Sequence, residues 1–175
     1  MTFWKSFFYN NINNSCTKII DKENILLIKN LDNKGDLFDI YLNINHDINL
    51  YDLEKLCDSV GWVRRPIKKV KIAIQNSFLT ACLFYNNNNK KELIGFARAT
   101  SDESFNATIW DVVIHIKFQD KGLGKLLMSQ MIKELRYYDI NTITLFADPQ
   151  VIKFYKHLGF IMDPDAVKGM FWYPI

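Results

Sequence analysis

Cysteine is scarce in this sequence, and its placement argues against two kinds of site. The chain has 3 cysteines among 175 residues, at Cys16, Cys57 and Cys82. They form no Cys-x-x-Cys pair, the spacing typical of zinc sites and of redox-active dithiols. We therefore interpret them as reduced thiols in a reducing compartment, and we expect neither a structural disulfide nor a metal site.

Long apolar runs and dense basic runs are also missing. No apolar stretch approaches the roughly 20 residues that a membrane-spanning helix needs. The amino terminus lacks a basic region followed by an apolar core and a small-residue cleavage site. The net charge is +3, and no continuous basic block extends beyond Lys68, Lys69 and Lys71. The sequence therefore predicts a soluble protein with no membrane and no nucleic acid as partner.

Apolar side chains are plentiful enough for one substantial core. Hydrophobic residues make up 49% of the 175 residues, a length too short for two comfortable domains. We predict a single domain over residues 21–175. Residues 1–20 mix aromatic and asparagine side chains without a clear period, which predicts an arm that is poorly ordered or docked on the surface.

Hydrophobic periodicity and turn residues predict a mixed order of strands and helices. Strands are predicted at residues 24–31, 37–44, 78–85, 91–100, 107–116, 142–147, 160–162 and 170–173. Helices are predicted at residues 50–60, 66–76, 123–138 and 149–158. Turn signals at residues 32–35 and 86–89 predict two antiparallel hairpins.

Residues 109–138 are the stretch around which the chain is organised: an apolar run, a glycine turn and a periodic helix. Gly122 and Gly124 have no Cβ, so the backbone can take positive φ and let several N–H groups converge. The first N–H groups of the following helix lack internal partners, and its dipole adds positive charge. The turn therefore predicts a phosphate or pyrophosphate site. Glycines that serve turn geometry alone are the alternative.

Two motifs together resemble the GNAT superfamily of acetyl-CoA-dependent N-acetyltransferases. They are Gln-Asp-Lys-Gly-Leu-Gly at 119–124 and Phe-Tyr-Lys-His-Leu-Gly-Phe at 154–160. Residues 147–150 and 168–174 are similar to the plastid and cyanobacterial branch related to plant serotonin N-acetyltransferase. The resemblance covers about residue 50 to the carboxyl terminus, and departs from the superfamily where Ile116 and Lys117 replace an often-present proline. It implies an α/β (α+β) fold: a mixed, mostly antiparallel sheet with splayed central strands and helices on both faces.

The resemblance also implies where acetyl-CoA binds, without a metal. The backbone of Val113, Ile114 and Ile116 is expected to hold the pantetheine arm as an added strand. The pyrophosphate is expected on the turn formed by Gln119, Asp120, Lys121, Gly122, Leu123, Gly124 and Lys125. Lys121 and Lys125 either add charge there or are ordinary solvated lysines.

Two residues are candidates for the chemistry of acetyl transfer. Tyr155 stands where the superfamily has a tyrosine acid, and its phenol is suited to protonate a departing thiolate. A packed helix aromatic is the alternative. Asp148 stands where related plant enzymes have an aspartate proposed as base, yet an aspartate before Pro149 is equally suited to cap a helix. Asp111 and His115 are reserve bases, on one face of their strand if it alternates regularly.

The acceptor is predicted to be a primary amine. Trp62, Trp110 and Trp172, together with Phe171 and Tyr173, are candidates for an aromatic pocket that binds an arylalkylamine such as serotonin or tryptamine. Trp62 alternatively packs the joint between two helices. The same branch also includes enzymes that acetylate protein lysines or N-termini, and a non-catalytic acetyl-CoA-binding module is the third hypothesis.

Composition and branch together predict the compartment. Asn, Ile and Lys are abundant, as in proteins encoded by genomes rich in A and T. We expect a plastid-encoded protein of the chloroplast stroma that needs no import peptide, with the bacterial cytoplasm as the alternative. The sequence is compatible with a homodimer but does not determine the oligomeric state.

Overall fold

A sheet of six strands forms the centre of the structure, a computed structural model that describes residues 22–44, 47–88 and 90–173. The strands are β1 Lys22–Asn33, β2 Asp36–Ile44, β3 Leu79–Asn87, β4 Lys90–Ser101, β5 Asn106–Ile114 and β6 Thr142–Leu145. They lie in chain order across the sheet. Neighbours are antiparallel except β5 and β6, which are parallel. The predicted mixed, mostly antiparallel sheet is confirmed.

Helices cover both faces of the sheet. They are α1 Leu50–Ser59, α2 Ile67–Gln75, α3 Leu123–Tyr137 and α4 Ile152–His157, with short 3-10 turns at Ile116–Phe118, Pro149–Val151 and Pro164–Ala166. Leu53 and Leu56 of α1 and Ile74 of α2 belong to one apolar cluster with sheet residues that include Phe96 and Val113. The helix α3 packs on the opposite face, so the predicted helices on both sides are confirmed.

The helix α3 is fixed to the sheet by a regular apolar stripe. Leu123, Leu127, Met131 and Leu135 recur every fourth position and are almost fully buried. Burying a side chain of this size stabilises the fold by about 1.5–3 kcal/mol relative to leaving it exposed. The stripe therefore holds the start of α3, and the glycine turn before it, in a defined place above the sheet.

The strands β5 and β6 part after a short common stretch. Their pairing runs from Asn106 opposite Thr142 to Ile109 opposite Leu145. From Trp110 to Ile114, β5 pairs with β4 alone among the strands of the described residues. One edge of this part of β5 therefore offers backbone groups to a ligand, as the resemblance implied.

A bulge interrupts β5 beside that open edge. Trp110 pairs with Arg98 of β4 while Val113 pairs with Phe96, so two residues of β5 lie opposite one of β4. Asp111, inside the bulge, has a left-handed backbone with φ of 55°. The strand does not alternate regularly, so the condition under which Asp111 and His115 would share a face is not met.

Three predicted strand positions are wrong. The strand predicted over 107–116 ends at Ile114, and Ile116 lies in a 3-10 turn with an exposed side chain. Residues 160–162 and 170–173 form no strand. Between the two runs, Asp163 and Asp165 have positive φ, a conformation incompatible with a continuous strand.

The remaining predicted elements are present with ends that differ by a few residues. The predicted helix over 149–158 is divided into a 3-10 turn and α4. The predicted arm, residues 1–20, lies outside the described residues, and the single domain over 21–175 stays a prediction. Within residues 22–44, 47–88 and 90–173, no helix is both long and apolar enough to cross a bilayer.

Candidate active site

A cleft of about 310 Å³ lies where β5 and β6 part. One wall is the open end of β5, from Trp110 to Ile114, and the other is the chain that leaves β6. Trp62 from the α1–α2 connection, Gln119 from the glycine turn and Tyr155 from α4 also line it. Its volume is in the range of small-molecule sites, and it unites the predicted coenzyme strand with the predicted catalytic residues.

The glycine turn presents a site for an anion beside this cleft. Gly122 has φ of 77° and ψ of −1°, a left-handed conformation that disfavours other residues, and it is the N-cap of α3. No atom beyond its chain neighbours lies within 4 Å of the place a Cβ at Gly122 would take. Because Leu126 N–H is the first to bond back to Gly122, the preceding N–H groups of the turn are free of intrahelical bonds.

Two side chains of the turn are already engaged with the protein. Gln119 Nε2 donates to the carbonyl of Ile114 at 3.0 Å, which closes the turn onto the end of β5. Lys121 Nζ donates to the carbonyl of Asp32 at 3.0 Å, in the β1–β2 hairpin. Lys125 is exposed. The bond to Asp32 fixes Lys121 to the hairpin, so the backbone N–H groups are the main candidates for holding a pyrophosphate.

These features fit the coenzyme that the resemblance implies. The unpaired edge of β5 suits the amides of a pantetheine arm, and the free N–H groups around Gly122 suit a pyrophosphate. Val113 and Ile114 lie on that edge, whereas Ile116 has left the strand, and its carbonyl accepts from Gln119 N–H at 3.4 Å. A strand contact from Ile116 is therefore the part of the predicted coenzyme site that the fold disfavours.

Tyr155 lies half-buried at the base of the cleft. Its ring makes edge contacts with Phe154 and Phe160, at centroid distances of 5.0 and 5.9 Å. Phe154 in turn reaches to 3.5 Å from the position of a Cβ on Gly124, an ordinary van der Waals distance, so α4 lies against the start of α3. Burial, and secondarily the charge of Asp148, raise the pKa of Tyr155. The phenol is therefore kept protonated, as a general acid requires.

Asp148 lines the same cleft, three residues after β6 ends. It occupies the N-cap position of the Pro149–Val151 turn, yet its side chain accepts no capping hydrogen bond; only its carbonyl accepts from Val151 N–H, at 3.0 Å. The cap alternative is thus wrong for the side chain. An exposed carboxylate without a capping donor is available to a cationic amine.

Replacing Asp148 by asparagine should lower the pKa of Tyr155. The substitution removes a negative charge that opposes formation of tyrosinate, while the burial that raises the pKa remains. A pH titration of tyrosinate absorbance, read as the difference from a Tyr155→Phe variant, measures the shift. Asp120→Asn, an exposed carboxylate on the glycine turn, is the control. An unchanged midpoint in D148N would show that Asp148 does not act on the phenol.

The two reserve bases have other partners. The carboxylate of Asp111 accepts from Arg98 Nε at 2.6 Å and from Arg65 Nη2 at 3.0 Å, so both of its oxygens are bound. His115 Nδ1 accepts from Lys117 N–H at 3.2 Å, and burial together with the charge of Lys117 lowers the pKa of His115. His115 thus acts as a neutral cap of a 3-10 turn, outside the residues that line the cleft.

The predicted aromatic residues are only partly brought together. Trp62 packs against the α1–α2 cluster, which confirms its packing interpretation; it also lines the cleft, and its contact with the acceptor stays a prediction. Trp110 lines the cleft, and its Nε1 donates to Thr100 Oγ1 at 3.0 Å. Trp172 is 83% exposed and is absent from the lining, as are Phe171 and Tyr173.

Sequence reasoning missed one aromatic wall of the cleft, Phe146. It follows β6 directly, and its ring lies 5.5 Å from that of Trp110 and 5.0 Å from that of Phe171. Its place two residues before Asp148 was the available signal. In the part of the chain that the structure describes, no group of three or more His, Cys, Asp or Glu residues is arranged to hold a metal ion.

Comparisons with known proteins agree with this geometry. The profile of the acetyltransferase (GNAT) family matches residues 48–160. The chain is 67% identical over its whole length to an uncharacterised N-acetyltransferase ycf52 of Gracilaria tenuistipitata var. liui, whose whole length is also covered. It is 42% identical to the histone acetyltransferase TAP1 of Glycine max, over 98% of this chain and 83% of that one.

Two further similarities concern compartment and fold. Identity is 42% to the chloroplastic GCN5-related N-acetyltransferase 2 of Arabidopsis thaliana, over 89% of this chain and 66% of the relative. A crystal structure of a probable acetyltransferase from meticillin-resistant Staphylococcus aureus superposes with a TM-score of 0.62 at 21% identity, over 76% of this chain and 99% of that one. The open edge of β5, the left-handed glycine at the start of α3, the family profile and the full-length relatives agree: the chain belongs to the GNAT acetyltransferase family and is an N-acetyltransferase.

Proposed function

We propose that this enzyme moves the acetyl group of acetyl-CoA directly to a primary amine carried on an aromatic or apolar body, an arylalkylamine such as serotonin or tryptamine. One observation carries the proposal: Asp148, an exposed carboxylate whose side chain makes no capping hydrogen bond, shares the cleft with the aromatic side chains of Trp62, Trp110 and Phe146. An acidic group attracts the ammonium, and aromatic faces bind both the cation and an attached ring.

The amine must lose a proton before it can react. Asp148 attracts the ammonium, and the proton of the amine passes to water. Asp111, the other charged residue that lines the cleft, is bound to two arginines. Asp148 is therefore the residue to which we assign the amine.

The departing sulfur must gain a proton. Acetyl-CoA supplies the acetyl group as a thioester, and its transfer forms an amide and releases the thiol of coenzyme A. Tyr155 faces the same cleft with its phenol kept protonated, since burial raises its pKa. A thiol titrates near pH 8.5 and an ordinary phenol near 10, and burial raises the pKa of Tyr155 further, so proton transfer to the thiolate is uphill; departure of the thiol draws the transfer forward, and solvent restores the phenol.

Acetylation of a protein amine is the second candidate, favoured by the similarity to a histone acetyltransferase. A lysine side chain also ends in an ammonium on an apolar stem, so Asp148 and the aromatic walls suit it as well. The two candidates differ in what carries the amine: a small aromatic molecule in the first, a polypeptide in the second. A non-catalytic module, the third sequence hypothesis, is disfavoured because the family and the relatives are acetyltransferases.

Coenzyme A release from acetyl-CoA tests the acceptor. Tryptamine and serotonin are compared with a histone-tail lysine peptide and with a peptide that has a free N-terminus, at equal concentration. Products are separated by chromatography, because a thiol dye would also detect the free, partly exposed Cys57. Faster release with the aromatic amines supports the first proposal. Preference for a peptide supports the second, and acetyl transfer to none of them would refute both.

Replacing Trp62 by alanine should raise the KM for the amine about tenfold, with little change in the dissociation constant of acetyl-CoA. Trp62 lines the acceptor end of the cleft, and an aromatic contact with a cation or ring is worth about 1–2 kcal/mol. Steady-state kinetics and coenzyme titration measure the two quantities. Trp172→Ala is the informative comparison: the exposed position predicts an unchanged KM, and a rise would place Trp172 in the acceptor site after all.

We further propose the chloroplast stroma as the compartment. The support is the similarity to an Arabidopsis relative that is named chloroplastic, together with the bias toward Asn, Ile and Lys. Immunogold labelling or fractionation of plastids tests this location, and recovery of the protein outside the stroma would contradict it.

A further inference from the structure

We propose that Arg65 is a positioning residue for the acceptor: its ion pair with Asp111 holds the α1–α2 connection, and with it Trp62, against the open end of β5. The inference rests on the proposed function, since it concerns the same acceptor end of the cleft. Nothing about Arg65 follows from a sequence motif, because its partner lies 46 residues away in the chain.

Asp111 is held in a conformation that points its carboxylate at both arginines. Its backbone is left-handed within the β5 bulge, and its side chain is 20% exposed. Arg98 lies on β4 and is 13% exposed. Its Nε–H donates to one oxygen of Asp111 and holds the carboxylate in place. The other oxygen accepts from Arg65 Nη2 at 3.0 Å. Asp111 is thus a fixed point in the sheet to which the α1–α2 connection is joined.

Arg65 and its neighbour Arg64 make different connections. Arg64 pairs with Asp58 of α1, six residues before it, so that bond stays within α1 and the chain that leaves it. Arg65 reaches across to β5 and pairs with Asp111. Among the described residues, this is the ion pair that joins the α1–α2 connection to the sheet. Substituting either arginine therefore removes one positive charge. Loss of Arg65 breaks the bond between the connection and the sheet, whereas loss of Arg64 leaves that bond in place.

The connection that Arg65 holds also carries Trp62. Trp62 lies three residues before Arg65, and it lines both the active-site cleft and a small neighbouring cavity beneath α1 and α2. Asp111 and Trp62 are the residues common to the two linings. Releasing Arg65 from Asp111 therefore frees the aromatic wall on which the acceptor body would rest, while the glycine turn that binds the coenzyme is left untouched.

Arg65→Met should raise the KM for the amine about fivefold, the factor expected for a half-exposed ion pair, with kcat and the dissociation constant of acetyl-CoA nearly unchanged. Arg64→Met, the matched control, should leave all three unchanged. Arg65→Lys should restore most of the affinity, because a single N–H bond to Asp111 is all that the guanidinium supplies there.

Hydrogen–deuterium exchange provides a readout that does not depend on activity. R65M should speed amide exchange in residues 61–65, and R64M should do so less, since its loss leaves the bond to the sheet intact. If no amine is acetylated by the wild type, the proposed function fails while this exchange difference still supports the positioning role. Equal exchange in R65M and R64M, or a KM shift in R65M that R65K does not reverse, would overturn the proposal.

Discussion

Replacing Tyr155 by phenylalanine should lower kcat about 100-fold, the smaller end of what a positioned general acid contributes. The phenol faces the cleft, and burial raises its pKa so that it stays protonated near neutral pH. Phenylalanine keeps the edge contacts with Phe154 and Phe160, so α4 should stay in place. The dissociation constant of acetyl-CoA, measured by titration, should therefore be unchanged while turnover falls.

The pH dependence separates loss of an acid from loss of packing. In the wild type, kcat should fall at alkaline pH as Tyr155 ionises, and this limb should disappear in Y155F. Tyr51→Phe, on the exposed surface of α1, is the matched control and should retain the wild-type profile. Undiminished turnover in Y155F, or a kcat that falls together with the thermal midpoint, would remove Tyr155 from the mechanism.

The parts of this site that the sequence predicts are those set by local interactions. The glycine turn and α3 follow from neighbouring residues: Gly122 supplies the left-handed N-cap, and the apolar stripe from Leu123 to Leu135 has the period of one helix face. Tyr155 follows from its motif. Asp148 follows in part, because the residue was identified, while its lack of a side-chain capping bond depends on how the backbone enters the Pro149–Val151 turn.

The parts that the sequence does not predict depend on contacts between distant residues. The bulge at Asp111 arises because β4 and β5 pair out of step, and no local signal in residues 110–113 marks it. The apolar runs at 160–162 and 170–173 have the composition of strands, yet a strand exists only where another offers its edge. The same limit applies to Arg65, whose partner is defined by the fold alone.

Replacing Gly122 by valine should abolish useful affinity for acetyl-CoA, because Gly122 has a left-handed backbone conformation. A side chain at φ of 77° strains the turn, and its Cβ would project into the space where no other protein atom lies within 4 Å. Both effects displace the N–H groups that would bind the pyrophosphate. We expect the dissociation constant of acetyl-CoA to rise at least about 30-fold, the loss of one or two charge-assisted hydrogen bonds.

Gly61 offers a nearly ideal comparison for this experiment. It has φ of 78° and likewise no atom within 4 Å of an added Cβ, but it lies in the α1–α2 connection, away from the coenzyme turn. Gly61→Val should suffer the same backbone strain, about 1–2 kcal/mol of unfolding free energy, without losing coenzyme affinity. Coenzyme titration and thermal denaturation of both variants separate the effects. Retained affinity in G122V, or an equal loss in G61V, would show that the turn does not bind the pyrophosphate.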